Sequence, residues 1–197
     1  MNEYSLEQFR ADCEEISNRL HQPDEIVGAI APLMKKLIRG ERSFMNAGHF
    51  EENAEHYARN PIFVKDDDSL SLYSLVWLPG QWTPVHDHGA WGVVGVIEGI
   101  LEERCYCCVD GQIRGDSGIR LERGGVILLD EGSVTSFVPR PDHIHISGVP
   151  EDRERAVSLH LYGRNMNSFH IYDVEAGTRH LVDVPIQHAV PVAMVGG

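Results

Sequence analysis

The chain has 197 residues, enough to bury one hydrophobic core and few for two. Hydrophobic residues make up 42% and charged residues 24%, the balance of an ordinary soluble globular protein. Seventeen Lys and Arg face 30 Asp and Glu, a formal net charge of -13. That removes the cationic field a nucleic acid or an anionic membrane would need, while a small anionic substrate still needs only one well-placed Arg.

The opening MNEYSLEQFRADCEE lacks the apolar core and basic flank of a signal segment, and no run reaches transmembrane length. The expectation is a cytoplasmic protein. Leu6, Phe9, Cys13, Ile16 and Leu20 recur at helical spacing behind Ser5, with Gln8 placed to complete a capping box. Pro23-Asp24 starts a second helix carrying Ile26, Ile30, Leu33 and Leu37 on one face and ending at Gly40. Polar HFEENAEHY, residues 49–57, reads as one more short helix.

From about Leu70 the pattern changes to short β-rich runs punctuated by Gly, Pro and Asp: LSLYSLVWL, VVGVIEG, LEERCYCCV, GGVILL, SVTSFV, HIHISGV and AVSLHLYG. Many evenly spaced short strands predict a mainly β sandwich or closed barrel. With no repeat and no linker, residues 1–197 read as a single domain, its helical segment 1–57 packed on the barrel. The tail QHAVPVAMVGG has no pattern. Of the four cysteines, Cys13 stands alone and Cys105, Cys107 and Cys108 crowd one strand. Neighbours on a strand do not meet disulfide geometry, and a reducing compartment keeps thiols free. The remaining readings are free thiols or a soft-metal site.

Eleven histidines are placed unevenly. His86 and His88 alternate in TPVHDHGAWG, so on a strand both imidazoles share a face and can ligate Fe, Zn, Cu or Ni. A third ligand must come from a later strand, where PDHIHISGV offers His143 or His145. In SLHLYG, Ser158, His160 and Tyr162 line one strand face. Such a polar row is either an outward face or a buried network whose members bond one another.

Gly80 precedes His86 by six residues and Gly99 follows His88 by eleven. This resembles the first cupin motif, G(X)5HXH(X)3–4E(X)6G, and implies a cupin double-stranded β-helix with N-terminal helices. The motif's Glu falls on Gly92, so the carboxylate ligand is missing. That departure argues against oxidases with three His and one Glu, and against the two-His-one-carboxylate oxygenases.

The whole set resembles the thiol dioxygenases, cysteine dioxygenase and its bacterial mercaptopropionate-oxidising relatives, from about Tyr57 to Asp173 and including the Trp77 strand. The family has HxH, a third His without a carboxylate, and a Ser-x-His-x-Tyr row thirteen residues after that His. His145 to Ser158 is thirteen, which selects His145. The resemblance implies one Fe(II) per chain on His86, His88 and His145, with a small thiol and O2 as partners and a sulfinic acid as product. Ser158, His160 and Tyr162 would form the polar relay of the active site. Animal members cross-link a Cys near the missing Glu to the site Tyr; here Gly92 and Val93 stand there, so Tyr162 is expected to stay an unmodified phenol. YARN places Arg59 where the cysteine-oxidising branch binds the substrate carboxylate, while HDHGAWG and the unmodified Tyr look more like the mercaptopropionate branch. Arg164 and Arg179 are candidates for a second carboxylate, which would suit mercaptosuccinate. A Zn or Mn cupin isomerase or hydrolase, and a non-catalytic binding cupin, are the competing classes.

Overall fold

The computed structural model describes residues 4–139 and 143–184, so the tail QHAVPVAMVGG lies outside the described residues. Two helices come first, α1 (Leu6–Arg19) and α2 (Pro23–Arg39). Ser5 Oγ accepts the Gln8 amide N–H at 3.1 Å, but the Gln8 side chain turns forward to Asp12, so the reciprocal half of the capping box is not made. The expected helix over 49–57 is one 3-10 turn, Ala47–Phe50, after which Asn53 Oδ1 accepts from the Glu55 and His56 amides and holds a loop.

Ten strands follow: β1 (Ala58–Val64), β2 (Ser71–Trp77), β3 (Gly92–Glu98), β4 (Leu101–Cys108), β5 (Leu121–Leu129), β6 (Val134–Phe137), β7 (Ile144–Gly148), β8 (Ala156–Tyr162), β9 (Ser168–Asp173) and β10 (Thr178–Asp183). One sheet runs β1-β2-β8-β3-β6. The other contains β5-β4-β7 and β9-β10, joined by the strip 81–87. In that strip Thr83 N–H donates to Ser147 O (2.8 Å), His86 and His145 exchange both backbone bonds (3.0 Å each), and Tyr172 N–H donates to Val85 O (2.8 Å).

Alternation along the strands explains the layers. Leu72 and Val76 of β2, Val93 and Ile97 of β3, and Val157, Leu159 and Leu161 of β8 face the helices, against Ile30, Met34, Leu37 and Ile38. The opposite faces, with Tyr73, Leu75, Trp77, Val94 and Val96, meet Leu101, Leu129, Phe169 and Ile171 of the second sheet. Strands covered on both sides read as continuous apolar runs. Gly95 lets α2 settle on β3, since a Cβ there would press on Met34 and Ile38. Two facing antiparallel sheets in this order make a cupin double-stranded β-helix. No helix among the described residues is long and apolar enough to cross a membrane.

Candidate metal centre

His86 sits in the joining strip, His88 directly follows that strip, and His145 lies on β7 opposite His86. All three are buried, with ligand-capable nitrogens within 4.8 Å of one another. Asp87 points the other way. Its carboxylate accepts from Tyr172 Oη (2.7 Å) and lies 3.3 Å from His170 Nδ1, which fastens the strip to β9.

The hydrogen bonds fix which nitrogens are free. His86 Nδ1 donates to Pro84 O at 3.0 Å and His145 Nδ1 faces Glu103 Oε1 at 3.3 Å, so on both rings Nε2 carries the lone pair. His86 Nε2 lies 3.2 Å from His88 Nε2, and His145 Nε2 is buried without any hydrogen-bond partner. Two nitrogens about 2.1 Å from one tetrahedral ion would be about 3.4 Å apart, so the cluster fits a metal. Burial, reinforced by the neighbouring histidines, holds the His86 and His88 pKa values well below the usual range, and burial lowers that of His145. Neutral imidazoles are ligand-ready. His143 is elsewhere: its Nε2 meets Glu103 Oε1 at 2.9 Å and its ring stacks on Phe137.

Ser158, His160 and Tyr162 point inward from β8 and bond one another, so the row is a buried network rather than an outward face. Its polarity follows from Trp77. The indole N–H donates to Ser158 Oγ at 2.9 Å. Ser158 is fully buried, and its own proton has an acceptor in His160 Nε2 at 2.8 Å. His160 then carries its proton on Nδ1 and donates to Tyr162 Oη at 3.2 Å, leaving the phenol proton free to donate into the cavity. Burial pushes the Tyr162 phenol pKa up and lowers that of His160 to about 3.

The lowered His160 value has a stability consequence. Below about 6.5 the unfolded imidazole takes a proton that the folded one refuses until about pH 3. Stability is therefore full above 6.5 and falls with pH across that window, by at most about 1.4 kcal/mol per pH unit for this group. In metal-free protein, His160→Gln should flatten the acid limb of a plot of urea midpoint against pH. An unchanged slope would contradict the assignment.

Arg59 enters from β1 and is buried. Its Nη2 donates to Met166 O at 2.7 Å, its guanidinium lies over the Tyr73 ring at 4.7 Å, and Nη1 is buried without a partner. Tyr73 is held by its own bond to Asn165 Oδ1 (2.8 Å). Arg59, the three histidines, His160 and Tyr162 border one cavity with about 30 Å³ of room for water-sized occupants. Arg164 and Arg179 do not. Arg164 donates to Ser168 and to the Asn165 carbonyl, and Arg179 is committed to Asp116 and Tyr172. The expectation that either serves a second carboxylate is thereby corrected.

Gly92 pairs with Tyr162 across β3 and β8, and a Cβ there would collide with the Phe137 ring. Phe137 fills the space a cysteine would use. Intact-mass analysis should find no loss from a Cys–Tyr thioether, in the wild type or in Gly92→Cys; a cross-link in either would overturn this packing account.

Glu103 and Trp77 are the neighbours that sequence reasoning did not assign to the site. In LEERCYCC, Glu103 is one of several polar residues, and only the β4–β7 pairing brings it to His145. The buried Trp77 had a usable signal, since an indole N–H on a strand next to Ser158 needs an acceptor.

Fold and site together define a cupin-fold protein with a buried three-histidine group able to hold a metal ion. No family model matches the chain. Among solved structures it is similar to a conserved double-stranded β-helix protein from Klebsiella pneumoniae subsp. pneumoniae MGH 78578, at 14% identity and TM-score 0.46, covering 73% of this chain and 98% of that one. A cupin-like protein from Thermotoga maritima MSB8 matches at 16% identity and TM-score 0.39, over 68% of this chain and 88% of that one. An oxalate oxidase matches at 13% identity and TM-score 0.43, over 65% of this chain and 63% of that one.

Proposed function

We propose that the protein is a ferrous thiol dioxygenase acting on a small thiol that bears one carboxylate, with cysteine favoured. The observation that carries this reading is a buried guanidinium, with Nη1 lacking a protein partner, on the same cavity as three neutral imidazoles. The overall reaction is RSH + O2 → RSO2H. Sulfur gives up four electrons and O2 accepts four, so no oxoacid cosubstrate or reductant enters. One Fe(II) per chain on His86, His88 and His145 would supply the charge that ionises the thiol and open positions for thiolate and O2.

The chain's own residues bind and orient. Arg59 is the only cationic side chain on the cavity among the described residues, and would pair with the substrate carboxylate through Nη1. Tyr162 offers its hydroxyl proton to the reacting end, held in place through His160, Ser158 and Trp77. Leu75, Met166 and Phe169 complete an apolar wall, and the small volume suits a thiol of few heavy atoms. The relay also favours catalysis over a purely binding cupin, and metal analysis separates iron from a zinc or manganese enzyme.

A second reading, 3-mercaptopropionate, draws on one observation: no carboxylate lines the cavity, so an ammonium group would have no acidic partner there among the described residues. Mercaptosuccinate loses support, because its second carboxylate would have no cation.

The test is an oxygen-electrode screen of the Fe(II) protein with cysteine, 3-mercaptopropionate, mercaptosuccinate and cysteamine, with sulfinic acid measured as product. Cysteine or 3-mercaptopropionate should drive uptake one-to-one with product. No uptake by iron-loaded protein with any of the four would sink the proposal. Tyr162→Phe and His160→Ala should keep iron but lower kcat/KM by about 10- to 100-fold or uncouple O2 from product. Loss of iron in Tyr162→Phe would move that residue from orientation to metal retention.

A further inference from the structure

We infer a second metal site beside the first, in which Glu103, Cys105 and His143 form a three-donor cradle for a soft divalent cation of the zinc class. Glu103 and Cys105 lie two residues apart on β4, so their side chains leave the same face of the strand. His143 stands just before β7, which pairs with β4 and sets Cys105 opposite His145. The three donor atoms lie within 4.8 Å of one another. Glu103 Oε1 is 2.9 Å from His143 Nε2 and 3.6 Å from Cys105 Sγ. Around one tetrahedral zinc, with bonds of about 2.0 Å to oxygen and nitrogen and about 2.3 Å to sulfur, these separations would be about 3.3 and 3.5 Å. Both separations from Glu103 are within a few tenths of an ångström of those values.

Carboxylate, imidazole and thiol together suit zinc, whereas calcium and magnesium take oxygen donors. Cys105 and His143 are both partly exposed, which gives a cation its route in and leaves a fourth position for water. Binding is a proton exchange with no redox change. The Cys105 S–H bond breaks, its electron pair goes to the cation, and the proton goes to solvent. His143 Nε2, which donates to Glu103 in the cation-free protein, gives up that proton to solvent, Nδ1 takes one in its place, and the freed Nε2 lone pair goes to the cation. Without a cation the thiol stays protonated, its pKa pushed up to about 11 by burial and then by Glu103.

The cradle is coupled to the three-histidine centre through one atom. The Glu103 oxygen that would ligate the cation also lies 3.3 Å from His145 Nδ1. Taking it leaves Ser147 Oγ, at 3.4 Å, as the remaining partner of that nitrogen. Outer partners of a ligating histidine are typically worth about 10- to 100-fold in metal affinity, so filling the second site should loosen the first by that order. The inference does not depend on which reaction the first centre performs.

The experiment titrates the iron-loaded full-length protein with cadmium chloride and follows the thiolate-to-cadmium charge-transfer absorbance. The three-histidine centre has no sulfur, so the band reports the second site alone, whether or not the protein oxidises thiols. One saturable equivalent should appear, vanish in Cys105→Ser, weaken in His143→Ala, and persist in the Cys107→Ser/Cys108→Ser double variant. Cadmium should also shield Cys105 from iodoacetamide in unmutated protein, which guards against a folding artefact in Cys105→Ser. No band, a band that survives Cys105→Ser, or a band lost only with Cys107 and Cys108 would overturn the site. At saturating cadmium, iron should pass to a chelator about 10- to 100-fold more readily in wild type and not in Cys105→Ser. Equal retention in both would overturn the coupling.

Discussion

Alanine at His86, His88 or His145 should leave the protein without bound iron and without turnover, while alanine at His143 should keep both. Ligand-capable nitrogens of the three buried rings lie within 4.8 Å of one another, and no further His, Cys, Asp or Glu among the described residues joins that group. Removing an outer partner of a ligand typically costs about 10- to 100-fold in affinity, so removing a donor itself should cost more. Iron per chain in anaerobically loaded protein, set beside circular dichroism to check the fold, reads the result. His143 bonds Glu103 and stacks on Phe137 outside the cavity, so its loss should perturb iron only through Glu103. If His145→Ala retains iron and activity while His143→Ala loses both, the ligand set is wrong.

The two-residue period of strands made much of this site legible. The two histidines of HDH share one face, as do Ser158, His160 and Tyr162 of SLHLY, and His86, His88, His160 and Tyr162 border the cavity. Helices α1 and α2 were legible for the same kind of reason, from Ile26, Ile30 and Leu37 at helical spacing, although the register placed Met34 deeper than Leu33. β1 was not legible as a strand. ARNPIFV carries Pro61 in its middle, and the pairing with β2 slips between Pro61 and Phe63, an irregularity an edge strand tolerates. Nor were β9 and β10 singled out, since SFHIYD and TRHLVD mix polar and apolar residues on partly exposed strands. Glu103 was hidden for a different reason. Its role depends on a partner 42 positions later in the chain, and no local pattern in LEER reports that pairing.

Arg59→Ala should lower kcat/KM for a carboxylate-bearing thiol by about 30- to 5,000-fold, the equivalent of about 2–5 kcal/mol for one partner lost from a desolvated charge pair. The expectation rests on how Arg59 is held. Nη2 is committed to Met166 O and the guanidinium face to Tyr73, so the remaining buried Nη1 is the group with hydrogen-bonding capacity left for a substrate. Most of the loss should fall on KM, because a carboxylate distant from sulfur is bound alike before and during reaction. Cysteamine supplies the control. Lacking a carboxylate, it should be a poor substrate of the wild type and nearly indifferent to the substitution. Arg59→Lys should fall between, since a point charge cannot reproduce the planar fork that pairs with Met166 O and a carboxylate together. A structural role would look different: removing Arg59 strands the Met166 carbonyl and the Tyr73 face, and a distorted cavity would slow every thiol. The comparison of kcat/KM for cysteine, 3-mercaptopropionate and cysteamine in all three proteins therefore decides. Equal losses across the three thiols would make Arg59 a packing residue, and the case for a carboxylate-bearing substrate would fall with it.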